Sequence, residues 1–372
     1  MGKDDIWELG WENRYRCLSH CTGTEGNEVI CCLGERGPFR YSRGNKLLLV
    51  LGGKKMRRIL WVAVFVTLFA GLVVCGQELV CDLDAALALL PGEDVMIEYS
   101  DAGRAQLEAA IGAFRVALNV PDDLDEKSDD AVNAFPVDLA QKDLVNKLAQ
   151  SYYTLADAFL EGEDNEMDTF LMGKHWGLKS LRMNPDFAAV EKSDDFKAAA
   201  MVETDIAALY WATANWLRVA EFDKFGAIKA GAPGKTVTMS KRALELNGQY
   251  ISYGPYRSLG AFYGGLPTDI ISNMLGWGQD LPRALSYFCY IVDEQGYCAD
   301  CDGCTFDPIC NEYFENRLFF VEFYLLESEL WEDAARILES VLAEPIGDKY
   351  PLYNAISQEK AQKFLEKVKE HL

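Results

Sequence analysis

The stretch Ala207-Ala-Leu-Tyr-Trp-Ala-Thr-Ala-Asn-Trp216 constrains this chain more than any other. Read at helical spacing it has no continuous polar face. Trp211, Asn215 and Arg218 share one stripe, Tyr210, Ala214 and Leu217 another, and Leu209, Ala212 and Trp216 a third. A helix that is apolar on every side must be surrounded by other elements, so it is an interior helix. A second stretch, Tyr253-Gly-Pro-Tyr-Arg-Ser-Leu-Gly-Ala-Phe-Tyr-Gly-Gly-Leu-Pro267, puts Pro255 in the first turn of a helix. It interleaves Gly260 and Gly264 with Tyr256, Leu259, Phe262 and Tyr263. Glycines four apart on a helix admit a closely packed neighbour, or leave room for something else.

The flanking sequence reads as further helices. Apolar residues recur at helical spacing over 102–118, and helix signals then come in pairs. The pairs are 137–160 with 165–181, 205–222 with 237–250, 256–263 with 281–293, and 313–329 with 331–342. A last helix over 357–371 has an acidic start and a basic end, as a C-terminal cap helix wants. No stretch alternates with period two for long enough to make a strand. The acidic run Asp122–Asp130 reads as a solvated loop. The expected fold is therefore all-α, an array of about four cryptic tetratricopeptide-like helix pairs of the α-solenoid type with a C-terminal cap helix. The repeats are called cryptic because the pair-closing Pro121, Pro185, Pro255 and Pro345 are unevenly spaced. The helical domain spans 98–372, with a linker and short helix over 76–97.

Charge and the N-terminal segment bear on compartment and partners. Residues 1–75 carry 11 Lys and Arg against 7 Asp and Glu, which leaves 76–372 with 25 against 51, a net charge of −26. So acidic a surface repels nucleic acid, and no nucleic-acid partner is expected. Lys54-Lys-Met-Arg-Arg58 precedes Ile59–Val74, sixteen residues with only Thr67 polar. A basic segment before such a run reads as a secretory signal over 56–75. Met56 then reads as the initiating residue and 1–55 as upstream sequence outside the mature protein. The alternative is a cytoplasmic extension ahead of a membrane anchor. Cys75 ends the run after Leu72-Val-Val74, close to a bacterial lipoprotein cleavage box, although Val74 stands where such boxes carry a small residue. The expected location is exported and periplasmic, lipid-anchored to a membrane through Cys75.

Several motifs together resemble the T component of tripartite ATP-independent periplasmic (TRAP) transporters. They are Tyr210-Trp211-x-x-x-Asn215-Trp216, Gly254-Pro255-Tyr-Arg257-Ser-Leu259-Gly260-Ala-Phe-Tyr263, Gly278-Gln-Asp280-x-x-Arg283-Ala284, and the late Asn354 and Lys360. The resemblance covers roughly 98–369 and is densest over 205–290. It implies a tetratricopeptide-like periplasmic lipoprotein with a channel or cleft through the protomer, partnered by the transporter's solute-binding protein, as a homo-oligomer such as a trimer. Tyr256, where a His is expected, and a cysteine-rich insertion over 298–310 depart from the pattern.

Candidate ligand-binding residues follow from the two central stretches: Tyr210, Trp211, Asn215, Trp216, Arg257 and Tyr263. Their aromatic rings, with Tyr256 and Phe262, either line an elongated apolar cleft or form plain core. Arg257 sits in a helix's first turn, where a cation opposes the helix dipole and needs an anion. That anion is either a small hydrophobic carboxylate ligand or a structural acid. Cys298, Cys301, Cys304 and Cys310 would suggest an iron–sulfur or zinc site in a reducing compartment, but in an exported chain they are expected to form disulfides. Asp300, Asp302 and Asp307 do not complete a calcium loop, and no metal or cofactor is expected. Gly234-Lys235-Thr236 lacks the first glycine of a phosphate loop, Lys229 standing in its place, and His175 has no evident nucleophile partner. Three readings therefore stand: an exported transport accessory, an envelope protein–protein scaffold with no small ligand, and an enzyme, which no motif favours.

Overall fold

In the computed structural model, residues 82–193, 195–274, 276–292 and 312–372 are described, and among them all regular structure is helical. Cys75, the 298–310 cysteine cluster and residues 1–75 lie outside the described residues. The helices are α1 (Leu83–Leu89), α2 (Asp101–Ala117), α3 (Asp129–Ala134), α4 (Lys142–Phe159), α5 (Glu166–Arg182), α6 (Pro185–Glu191), α7 (Phe196–Val202) and α8 (Ile206–Phe222). They continue as α9 (Lys224–Lys229), α10 (Ala232–Asn247), α11 (Tyr250–Gly265), α12 (Ile270–Met274), α13 (Leu281–Val292), α14 (Phe314–Phe320), a π-helical turn over Val321–Leu325, α15 (Trp331–Ala343) and α16 (Pro351–Lys369).

Local chemistry sets many of the boundaries. The side chains of Asp82, Ser100, Ser128, Asn184, Asp195, Asp205 and Asp223 each accept from a backbone N–H in the helix that follows. Pro185, Pro233 and Pro351 occupy first turns, where their missing N–H costs nothing. The expected pairs are present: α4 packs on α5, α8 on α10, α11 on α13, and the α14–π segment on α15. The central helix α8 touches α4, α5, α9, α10 and α11, so it is interior, as its sequence requires. The segment expected as linker with a short helix is packed as well. Its helix α1 lies against α2, and Leu90, Val95 and Ile97 are buried in the main core.

The two glycines of α11 are taken up by close helix approach. A Cβ on Gly260 would sit 2.6 Å from the Phe288 ring of α13, and one on Gly264 only 1.9 Å from the backbone oxygen of Phe323 in the π-turn. Arg317, fully buried on α14, donates twice to Glu344 just past α15 (2.7 and 2.9 Å), tying that pair together.

The structure corrects the sequence reading of two segments. The run 122–130 is not simply a solvated acidic loop. Glu126 is buried within it and accepts from Tyr152 Oη (2.7 Å) and Trp176 Nε1 (2.6 Å), with Arg115 Nε 2.9 Å away. The backbone oxygen of Glu126 lies 3.0 Å from His175 Nδ1, which explains the buried histidine. One acid is drawn in because it satisfies two donors that the core would otherwise strand and pairs with the Arg115 charge. Ser128 then caps α3. Secondly, the last helix starts earlier than expected, at Pro351, and does more than cap the end of the array. It reaches back to α4 through Thr154–Tyr353 (3.0 Å) and Lys360–Asp157 (3.1 Å), and to the loop after α4 through Lys363–Glu161 (3.0 Å), so the last helix closes on the first large pair.

Candidate functional site

The six candidate ligand residues divide among three places. Tyr210 and Arg257 meet directly, Arg257 Nη2 donating to Tyr210 Oη at 3.3 Å. Trp211 is core, its ring against Tyr153 and Tyr210. Asn215 donates to the backbone oxygens of Ala149 (3.1 Å) and Trp211 (2.9 Å), stapling α8 to α4. Trp216 belongs to a different cluster, edge-on to Phe196 with Lys174 and Lys235 over its ring. Tyr263 stacks on Tyr287 beneath the Arg283 guanidinium, at a second cleft lined also by Trp277 and Lys241.

Arg257 has found its anion inside the protein. Its Nη2 lies 2.9 Å from Glu315 Oε2 on α14, and both side chains are nearly buried. Nη1 donates to Asn316 Oδ1 (2.6 Å) and to the backbone oxygens of Ser252 (3.1 Å) and Ile251 (3.4 Å). Those last two acceptors explain its position. Ile251, Ser252 and Tyr253 all have positive φ (47°, 48° and 67°), a conformation that is costly for side-chain-bearing residues and most of all for a β-branched one. The break separates the first turn of α11 from the helix that begins at Gly254-Pro255. Arg257 and Asn316 hold it from one side, and Glu93 accepts from Ile251 N–H (2.6 Å) on the other. Of the two anions open to Arg257 in sequence, the structure supplies the structural acid. Arg257 closes the inner end of a cleft as a neutralised pair and does not present a free guanidinium.

That cleft, about 430 Å³ in volume, opens between α8, α9, α10, α11 and the π-turn. Ala214, Leu217, Ala227, Ile228, Ala261, Phe262, Leu266 and Phe323 make its walls predominantly apolar, and Tyr153, Tyr210 and Phe319 add rings at depth. At the α8–α9 corner Phe225 is 74 % exposed, and Phe222, whose ring lies near Phe170, is half-exposed. A cleft does lie beside the 205–222 and 255–264 helices, but most of the aromatic set proposed from sequence does not line it. Of the six candidates only Tyr210 and Arg257 reach it.

Charged groups concentrate on one side of the cleft. Arg218 on α8 pairs with Asp157 of α4 and Glu221, and Asp157 is shared with Lys360 of α16 at 3.1 Å. Burial works against the Asp157 charge, but Lys360 and Arg218 outweigh it and hold its pKa at about 2. Beside them, Glu322 of the π-turn lines the cleft. It makes no hydrogen bond or ion pair with the described residues, and burial pushes its carboxyl up to about 7 against the pull of Arg218 and Lys360. Sequence reasoning missed Asp157 and Glu322 as site residues. A readable signal existed for Glu322: it is the lone charge in the nine residues Leu318-Phe-Phe-Val-Glu-Phe-Tyr-Leu-Leu326. An acid in such a run must either find a partner or face a cavity. Among the described residues no group of three or more His, Cys, Asp or Glu is placed to hold a metal ion. No helix among them is long and apolar enough to cross a membrane. No protein-family model matches this chain, and no curated protein matches it in sequence.

Proposed function

We propose that this protein is an exported accessory component of a TRAP-type transporter, which holds a small amphipathic molecule in the α8–α11 cleft and docks the transporter's solute-binding protein. The observation that carries the ligand part is the cleft itself, with apolar walls, a charged side and a volume suited to a small organic molecule. The exposed Phe225 and Phe222, three residues apart where α8 gives way to α9, support the docking part, since exposed apolar side chains favour contact with another protein surface. Anchoring through Cys75 and assembly as a trimer belong to the same reading. A carboxylate ligand, suggested by Arg257 in sequence, loses its best support once Arg257 is paired with Glu315.

The test has two arms. Organic extraction of protein purified from its native envelope, followed by mass spectrometry, should return a stoichiometric small molecule. An Ala261→Trp variant, which fills the cleft from α11, should lose it. Purified solute-binding protein of a TRAP transporter from the same organism should bind the wild type and bind Phe225→Asp at least about tenfold more weakly. An empty extract together with no binding to that partner would overturn the reading.

A further inference from the structure

The acids around the cleft differ in one respect. Glu221 is paired with Arg218, Glu327 accepts from Gln279 Nε2 (2.7 Å), Asp157 is shared by two cations, and Glu315 holds Arg257. Glu322 alone of the carboxyls lining the cleft has no hydrogen bond or ion pair with the described residues. Its place follows from the backbone. The π-turn, in which Leu326 N–H donates to Val321 O five residues back (2.9 Å), inserts a residue into the helix that α14 begins. The turn is pressed against α11 by the Phe323–Gly264 contact. Such single π-turns recur at functional sites because they turn one side chain off the regular helical face.

Charge balance then selects the ligand. The groups that act on Glu322 from the elements packed around it are Arg218 and Glu221 on α8, Lys360 on α16 and Asp157 on α4. Arg218 and Lys360 offset Asp157 and Glu221, so an ionised Glu322 leaves this cluster at −1. Arg257 with Glu315 adds nothing, and the exposed Lys224 and Glu327 elsewhere on the lining also cancel. A bound anion would deepen the imbalance, whereas a bound monocation removes it. Tyr153 and Phe319 line the same cleft, and Phe319 already lies under a cation, the Arg257 guanidinium, so the lining is one that tolerates cationic groups.

We propose that Glu322 is the head-group receptor of the cleft and that its ligand is an amphipathic monocation, an ammonium group carried on an apolar body. This rests on the reading of the cleft as a ligand site, and the experiment separates the two. The full chain is titrated calorimetrically near pH 8 with n-octylamine, octanoate and n-octanol, which share one apolar body. Octylamine is expected to bind at least about tenfold tighter than the other two. Glu322→Gln should lose that advantage while its octanol affinity stays unchanged, which distinguishes recognition from general attraction to an acidic surface. Between about pH 6 and pH 8 the amine should gain roughly tenfold in affinity as Glu322 ionises, and Glu322→Gln should show no such gain. Ala261→Trp should block all three.

If none of the three binds the wild type, the cleft is not a ligand site and both readings fall. If octanoate binds as well as octylamine, or Glu322→Gln leaves the preference intact, the cleft stands and the assignment of Glu322 is overturned. Amine binding that survives Ala261→Trp places the site elsewhere and also overturns it.

Discussion

At the residue scale, Arg257 and Glu322 show how partnership, rather than residue type, decides what a charge inside the fold does. Arg257 has the character expected of an anion receptor, yet its donors serve Glu315 and the left-handed turn at Ile251–Tyr253. Arg257→Ala should therefore destabilise the protein by about 3–5 kcal/mol, because it strands a buried carboxylate and removes a donor from the Ile251 and Ser252 backbone oxygens, the second of which keeps only Asn316. Denaturant unfolding measures this, and adding Glu315→Gln should recover part of the loss. An Arg257→Ala protein that melts like the wild type would return Arg257 to the ligand. Glu322 carries the opposite sign. Its folded-state pKa of about 7 exceeds the ordinary 4.5, so its contribution to stability is full below about pH 4.5 and is lost as pH rises through about 7. The unliganded wild type should lose on the order of 2 kcal/mol between about pH 5 and pH 8, and Glu322→Gln should lack that slope. A sequence shows which residues can be charged, but not which charges meet. The pairing of Arg257 with Glu315 across 58 positions was therefore illegible, whereas a lone acid in an apolar run was readable.

At the element scale, what was legible was whatever repeats over several turns. The interior character of α8 and the pairing of long helices follow from periodicity. The short helices α6, α7 and α9 do not, because each spans about two turns or fewer and is stabilised by a cap and by tertiary burial such as that of Phe187 and Ala199. Their Asn184, Asp195 and Asp223 caps were the available signal. Helix α10 begins at Ala232, five residues earlier than the apolar pattern indicated, because Gly231 at φ 70° and Pro233 look like a loop but initiate a helix here. The Gly234-Lys235-Thr236 segment lies within that helix. Glycine spacing on α11 was read with two outcomes open, and helix approach took both glycines. A clean contrast follows. Gly264→Ala should cost at least about 2 kcal/mol, since its Cβ would meet the Phe323 carbonyl, a backbone atom that cannot swing aside. Gly112→Ala in α2, with nothing within 4 Å of the added Cβ, should stabilise by about 0.5–1 kcal/mol. Thermal or denaturant melts of the two variants side by side decide whether α11 packs as described.

At the scale of the whole molecule, one buried acid ties the closing helix to the centre of the array. Asp157 receives Arg218 from the central helix and Lys360 from the last, so three elements far apart in sequence converge on a single buried carboxylate. An open solenoid gains its stability from nearest neighbours alone. Here α16 adds a contact back to α4 of the first large pair, and the charged side of the cleft is built where that closure occurs. Removing the acid leaves the partly buried Arg218 and Lys360 with no carboxylate between them, Arg218 keeping only Glu221, a larger penalty than losing either cation. Asp157→Asn should cost about 3–5 kcal/mol, whereas Lys360→Ala, which leaves Asp157 paired with Arg218, should cost less. Acid unfolding carries the same signature. Because the folded-state pKa of Asp157 is held at about 2, below its ordinary 3.8, its contribution is present above about pH 4 and is lost as pH falls through that interval. The wild type should therefore become progressively less stable between about pH 4 and pH 2, and Asp157→Asn, already lacking that contribution, should show a shallower decline. Added salt should do little for this buried cluster while easing the mutual repulsion of an acidic surface. A wild type and an Asp157→Asn variant with parallel acid-unfolding curves would show that the last helix closes the array by packing alone.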